Sequence, residues 1–446
     1  MRYKEKQSIS LSRNSISVYG LGNVGGPIAA AWLKKGAKII GVDISKPLLE
    51  SIESGTSHQK EPFISEIFSK YLKNKKLRLT TDGVEASKNS SIKIVAVPVA
   101  IKKNSIDLSA ILSVSKNISL GLKKGDSVII SPSLPPGTTK KLVLPILEKF
   151  SKLKAEKDFF LIYNPERIFE GRALEDIEKN YPAIVSGIGK NSLKFGSTLL
   201  KIISKRGVIE MSSIESAEAE KLFEGVYRDV NIALANELAS YCEGYKINFW
   251  ESRKAANSQP FCHLHYPGTG VGGLCIPIYP QFVIESGKNI GKSMKIIKFA
   301  RKINDSMPKK CVEDSISLLS KNKRNKKNSK IAILGLGFRG DVTDSRLSPT
   351  YDVINEFMKK QFKISVHDPY IFEDNILPKN VSLSSDLELT VKDAELIFIS
   401  TDHKIYSKLT KNNFSKAKKP LLIYDGRKIL NEKFFPSDSL LSIGIR

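Results

Sequence analysis

The chain has 446 residues, and 71 Lys and Arg against 46 Asp and Glu give it a formal charge of +25. At about 150 residues per domain that length predicts roughly three domains. A content of 41 % hydrophobic and 8 % aromatic residues excludes wholesale disorder. No apolar run approaches the about 18 residues of a membrane span, and the polar stretch Met1 to Ser15 lacks the apolar core of a secretory signal. Four cysteines in so long a chain predict a reducing, cytoplasmic setting rather than a disulfide framework. The positive charge is spread along the whole chain. Its densest run, residues 321–330, has no interleaved aromatics. That reads as a solvated surface, with neither nucleic acid nor membrane as partner.

Residues 1–14 read as a polar tail. A strand at Ile16–Tyr19 then runs into Gly20-Leu-Gly22-Asn-Val-Gly25, followed by a helix from Pro27 to Lys35 and a strand from Lys38 to Val42 that ends at Asp43. Further apolar runs at Ile92–Val97, Ser127–Ile130, Phe159–Tyr163 and Ala183–Ser186 alternate with helix-like stretches, the signature of a parallel sheet built from βα units. Ser212 and Glu215 have capping-box spacing. Beyond them Leu222, Val226, Val230, Leu234 and Leu238 recur every four residues, predicting one long amphipathic helix to about residue 245. A basic linker, 320–330, precedes a second strand and turn, Lys330–Leu334 and Gly335-Leu-Gly337-Phe-Arg-Gly340. Strands at Lys363–Val366, Ala394–Ser400 and Leu421–Tyr424 follow. The expected architecture is α/β: two Rossmann-like doubly wound domains (15–211 and 331–446) joined by a long central helix and helical middle domain (212–319).

The first glycine motif lies between a strand and a helix, where glycines let the backbone turn and approach a pyrophosphate that the helix N-terminus attracts. Gly20, Gly22, Asn23, Val24 and Gly25 are therefore candidate cofactor contacts. Asp43, eighteen residues after Gly25, can accept hydrogen bonds from a ribose diol and repel a 2′-phosphate, which favours NAD over NADP. The second motif lacks an immediate helix, because polar residues run to Pro349. It fits either a phosphate-facing loop with Arg339 as its cation or a structural turn. Cys275 ends Tyr266-Pro-Gly268-Thr-Gly270-Val-Gly272-Gly-Leu-Cys275, a segment too rich in glycine for core packing but suited to wrapping backbone N–H groups around an anion. If Pro277 opens a helix, Cys275 sits at its N-terminus, where the thiolate is favoured. Cys262, His263 and His265 match no zinc spacing, and no metal is expected.

Taken in order, these pieces resemble the nucleotide-sugar dehydrogenase family, the UDP-glucose and UDP-N-acetylhexosamine 6-dehydrogenases. The match includes GLGNVGGP (20–27), SLPPGTT (133–139), NPERIFEG (164–171), AEAEK (217–221), RDVNIALANELA (228–239), YPGTGVGGLCIP (266–277), ARKINDSMP (300–308), GLGFRGDVTDSRLSP (335–349), TDH (401–403) and DGR (425–427). The resemblance implies four-electron oxidation of a UDP-sugar C6 alcohol to the uronate with two NAD, through a thiohemiacetal and thioester on Cys275. It assigns oxyanion or proton handling to Lys221 and places Glu166, Glu170 and Ser133 around substrate and water. Tyr266, Gly268, Gly270, Gly272 and Arg339 fall on the UDP-sugar side. It also implies a homodimer through the central helix and a role in polysaccharide biosynthesis. RDVNIALANELA looks more like the UDP-N-acetylmannosamine and UDP-N-acetylglucosamine enzymes than the UDP-glucose ones. Three positions depart from the family: its asparagine one turn after the lysine is Gly225, its aspartate four residues after the cysteine is Tyr279, and its frequent histidine or tyrosine-like aromatic before the cysteine is Leu274. The first two are expected to compensate, with glycine making room for a phenol whose hydroxyl reaches toward the cysteine.

Overall fold

The computed structural model describes residues 14–58, 61–102, 105–324, 327–436 and 438–445. The expected tail (1–14) therefore lies outside the described residues except for Asn14, as do Asn325 and Lys326 of the basic linker. The chain divides into two compact units, Met1–Glu224 and Gly225–Arg446, and the division falls inside the helix Ile214–Tyr245.

In the first unit the strands are β1 (Ser15–Tyr19), β2 (Lys38–Val42), β3 (Leu77–Thr80), β4 (Ile92–Val95), a small antiparallel ribbon of β5 (Ala100–Lys102) and β6 (Ser105–Asp107), β7 (Ser127–Ile130), β8 (Phe160–Tyr163), β9 (Ala183–Gly187) and β10 (Val208–Glu210). The main sheet has the order β10-β9-β8-β7-β4-β1-β2-β3. Its pairs are parallel except β8 with β9. Strands such as Ser-Val-Ile-Ile and Phe-Leu-Ile-Tyr are buried along their whole length because helices cover both faces. One face buries Trp32 and Phe68; the other buries Tyr19, Leu147 and Tyr163. Strand order reverses at β1, which pairs with β2 on one side and β4 on the other. That reversal opens a crevice at the carboxyl ends of the strands.

The second unit repeats the scheme with β11 (Lys330–Leu334), β12 (Lys363–His367), β13 (Ser382–Ser384), β14 (Leu396–Ile399), β15 (Ile423–Asp425) and β16 (Leu440–Ser442), ordered β13-β12-β11-β14-β15-β16 and all parallel. The rest of the long helix and the helices Phe249–Ala256, Tyr279–Asn289 and Lys295–Lys321 belong to this unit.

Three local expectations need correction. The long helix is capped one residue later than the sequence spacing indicates: Ser213 Oγ accepts from Ser216 N, so Ser212 and Glu215 are not the cap pair. The period-four apolar row does not lie on one face. A step of four residues turns a helix by about 40° beyond a full turn, so the row drifts from buried Leu222 to Leu234, which is 42 % exposed. Finally, the helix after the cysteine opens at Tyr279 with Pro280 in its first turn, not at Pro277. Cys275 lies one turn ahead, its carbonyl accepting from Ile278 N and Tyr279 N.

Candidate active site

The turn after β1 is built by backbone exclusion. Gly20 has φ +87°, and a Cβ on it would lie 2.8 Å from Ala96 O. A Cβ on Gly25 would lie 1.7 Å from Gly20 O, whereas one on Gly22 meets nothing within 4 Å. The turn is thus closed on its protein side and open at Gly22. Asn23 is exposed beside it, and Val24 precedes the helix Gly25–Lys34, which has no side-chain cap. An uncapped helix N-terminus behind an open glycine fits a dinucleotide pyrophosphate. Asp43 follows β2. Its carboxylate accepts from Leu21 N at 2.8 Å and Ser45 N at 2.9 Å, which fixes it beside the turn.

The first turns of the long helix grip two loops of the same unit. Glu218, Lys221 and Glu224 are spaced three apart and share a face. Glu218 is fully buried and accepts from Gly137 N at 2.5 Å and Thr139 N at 2.9 Å, which ties down the turn that begins at Ser133. Lys221 is buried and pairs with Glu166 at 3.4 Å, both side chains being no more than 10 % exposed. Glu224 takes the guanidinium of Arg167 at 2.6 Å. Lys221 is therefore held at a carboxylate rather than solvated. Burial pushes Glu218 up to about 7. Burial, together with Glu224 beside it, does the same to Glu220. Glu170 is half-buried in the same loop as Glu166. Sequence reasoning missed Glu61, whose buried carboxylate accepts from Gly171 N at 2.8 Å and Ala173 N at 3.1 Å.

In the second unit the cysteine loop hangs on a buried polar network. Arg301 pairs with Asp229 at 2.6 Å. Asn304 donates to Asp229, and Asn236 donates to Asn304 at 2.9 Å while accepting from Gly268 N at 2.9 Å. The motifs 228–239 and 300–308 thus act as one scaffold. Gly270 and Gly272 are packing requirements, whereas a side chain at Gly268 would meet only the movable end of Arg427. A Cβ would lie 2.6 Å from the Arg427 guanidinium at Gly268, 2.7 Å from Pro349 Cβ at Gly270 and 2.5 Å from Leu347 O at Gly272. Gly273 N donates to Arg346 O. Tyr266 is 62 % exposed, with the Arg253 guanidinium 3.7 Å from its ring centre. Cys275 is exposed, and the hydroxyl of Tyr279, otherwise buried, donates to its Sγ at 3.4 Å. A Cβ on Gly225 would lie 2.6 Å from Tyr279 Cδ2.

The second glycine turn copies the first only in part. Gly335 has φ +95°. Asp368, after β12, accepts from Leu336 N at 2.7 Å and Gly337 N at 3.1 Å, and pairs with His403 at 3.2 Å, both side chains being fully buried. A Cβ on Gly340 would lie 2.2 Å from Asp402 O. Arg339 is half-buried in this turn, and the next helix begins at Pro349, capped by Ser348. Asp368 thus takes the same place as Asp43, bonding the second residue of its turn and the residue two further on, but it is fully buried and also committed to Gly337 N and His403. Among the described residues no helix is long and apolar enough to cross a membrane.

Comparison with known proteins identifies the family. Residues 14–204 match the NAD binding domain of the UDP-glucose/GDP-mannose dehydrogenase family, 215–306 its central domain and 332–432 its UDP binding domain. The chain is 31 % identical over 417 residues to a UDP-N-acetyl-D-mannosamine dehydrogenase of Pyrococcus horikoshii, covering 94 % of this chain and 96 % of that one. It is 30 % identical to an NDP-N-acetyl-D-galactosaminuronic acid dehydrogenase of Ralstonia solanacearum, covering 90 % and 94 %. A solved Pyrococcus horikoshii UDP-D-ManNAc dehydrogenase superposes with a TM-score of 0.87 at 30 % identity, covering 96 % and 99 %. The chain belongs to the UDP-glucose/GDP-mannose dehydrogenase family and is an NAD-dependent nucleotide-sugar dehydrogenase.

Proposed function

We propose that this enzyme oxidises the C6 alcohol of a UDP-N-acetylhexosamine, UDP-N-acetylmannosamine or UDP-N-acetylglucosamine, to the uronate, transferring four electrons in two steps. The observation that carries the reading is the exposed Cys275 thiol with a hydroxyl donor on its sulfur. That is the arrangement a nucleophile needs to add to an aldehyde and be held as thiolate. The sugar preference rests on the names of relatives about 30 % identical over most of the chain.

Bound NAD supplies the hydride acceptor for both oxidations. Gly20, Gly22, Asn23, Val24 and Gly25 hold its pyrophosphate, and Asp43 its ribose. In the second oxidation Cys275 Sγ adds to the C6 aldehyde to form a thiohemiacetal. Loss of hydride from C6 leaves a thioester, and water then releases the carboxylate and restores the thiol. Lys221, held by Glu166, stabilises negative charge on the C6 oxygen. Ser133 and Glu170 orient the substrate hydroxyl and the attacking water, and Tyr279 holds the sulfur. Tyr266, Gly268, Gly270, Gly272 and Arg339 form the nucleotide-sugar side.

The product serves polysaccharide biosynthesis in the cytoplasm. The enzyme works as a homodimer through the long helix, where Phe223, Tyr227, Leu234, Tyr241 and Tyr245 recur at intervals of four or seven and are each more than 40 % exposed. A panel of UDP-sugars followed by NADH absorbance and product mass tests the reading. UDP-glucose as the only oxidised sugar replaces the substrate assignment. Binding of UDP-sugar with aldehyde or thioester accumulating favours the second reading, an impaired second oxidation or hydrolysis caused by the missing carboxylate at Tyr279.

A further inference from the structure

Loops after strands are irregular and mobile unless something fixes their backbone, yet catalytic groups must be held to within about 0.5 Å. The loop after β8, 164–173, carries Glu166 and Glu170 and contains little regular structure of its own. Glu166 is anchored through its own side chain, which accepts from Ile168 N at 3.0 Å and pairs with Lys221. The far end of the loop is anchored differently. Its turn has Gly171 at φ +91°, and it presents the N–H groups of Gly171 and Ala173 to a single acceptor, the carboxylate of Glu61.

Glu61 lies outside every motif of the chain, 110 residues from Gly171. It is only 6 % exposed, and burial raises its carboxyl above the ordinary value against the pull of its two backbone donors, with Glu170 and Asp176 nearby. A charged group is not buried in this way without a compensating role. Here the compensation is the pair of N–H groups. Glu61 is itself fixed: its N–H donates to His58 O at 2.9 Å, and His58 Nε2 bonds to Leu21 O at 2.7 Å.

We infer that Glu61 is a positioning residue for this dehydrogenase: its two carboxylate oxygens clamp the 171–173 turn and thereby set the backbone from which Glu170 reaches the substrate. The inference rests on the proposed role of Glu170. One oxygen serves each N–H, so the clamp needs two acceptors at carboxylate spacing. Glutamine keeps the shape but offers one acceptor and turns its NH2 toward the other N–H, which is left buried without a partner.

The experiment compares the full-length wild-type enzyme with Glu61→Gln and Glu61→Asp by steady-state NADH production and by hydrogen exchange. In Glu61→Gln, kcat falls at least tenfold while KM for NAD changes less than twofold. The amides of Gly171 and Ala173 lose protection, while those of β4 and β7 keep theirs. Glu61→Asp, with both oxygens on a shorter stem, recovers part of kcat. Unchanged protection at Gly171 and Ala173 in Glu61→Gln overturns the inference. So does a loss of kcat matched by a rise in KM for NAD and by loss of protection throughout the sheet. Exchange is read without turnover, so it decides the clamp even if no UDP-sugar proves to be a substrate.

Discussion

The ring of Tyr279 fills the space that a side chain at position 225 would need: a Cβ added to Gly225 would lie 2.6 Å from Tyr279 Cδ2 and 3.1 Å from its Cβ. A glycine inside a helix costs about 1 kcal/mol relative to alanine, and here the ring gives it a local reason. Gly225→Ala should therefore lower the melting temperature, whereas in a Tyr279→Ala background the same change should stabilise by about 1 kcal/mol. Gly225→Asn alone should lose activity, and adding Tyr279→Asp should recover part of it. Additive effects on stability and kcat would show that the two positions are independent.

Asp43 makes a cofactor prediction. Its carboxylate is fixed by Leu21 N and Ser45 N beside the glycine turn and cannot swing away from a 2′-phosphate. The kcat/KM for NAD should exceed that for NADP by at least about a hundredfold, or about 2.7 kcal/mol. Equal values for the two cofactors would contradict this placement.

The network beneath the cysteine loop should matter to stability. Asp229→Ala leaves Arg301, 6 % exposed, without its buried partner, and breaking a buried pair costs about 3 kcal/mol or more. Asn236→Ala removes the acceptor of Gly268 N and the donor to Asn304, at about 1–3 kcal/mol. Urea midpoints check both. A change below about 0.5 kcal/mol for Asp229→Ala would mean that the pair carries no net stability.

Much of this was legible in the sequence and some was not. Continuous apolar strands and glycine turns mark both sheets because fully buried parallel strands cannot alternate, and Gly20 and Gly335 must take positive φ. Cys275 and Lys221 stand in motifs. The partners of those motifs could not be read, because a hydrogen bond such as Glu61 to Gly171 spans 110 residues and leaves no local pattern. The apolar row on the long helix misled because a spacing of four is not the helical repeat. Besides Ile214, Leu222 and a set of alanines, that helix buries Glu218, Lys221, Gly225, Asp229 and Asn236, which are polar or small.

Glu218 predicts a pH dependence. Its folded value is raised from about 4.5 to about 7 by burial, so between those values the folded enzyme binds a proton that the unfolded chain has released. The stability this group contributes is present below its unfolded value and is lost as pH rises through about 7, in all up to about 3 kcal/mol. Glu218→Gln should flatten that part of the stability profile. The wild-type and variant unfolding curves from pH 4.5 to 8 should differ in slope, and parallel profiles would refute the assignment.

The most direct measurement is the ratio of NADH to uronate formed from UDP-N-acetylmannosamine by the wild-type enzyme and by Cys275→Ala. The account predicts two NADH for each uronate in the wild type. It predicts no uronate from Cys275→Ala, with the affinity for the UDP-sugar largely intact. Uronate production by Cys275→Ala at the wild-type rate, or one NADH per uronate, would contradict it.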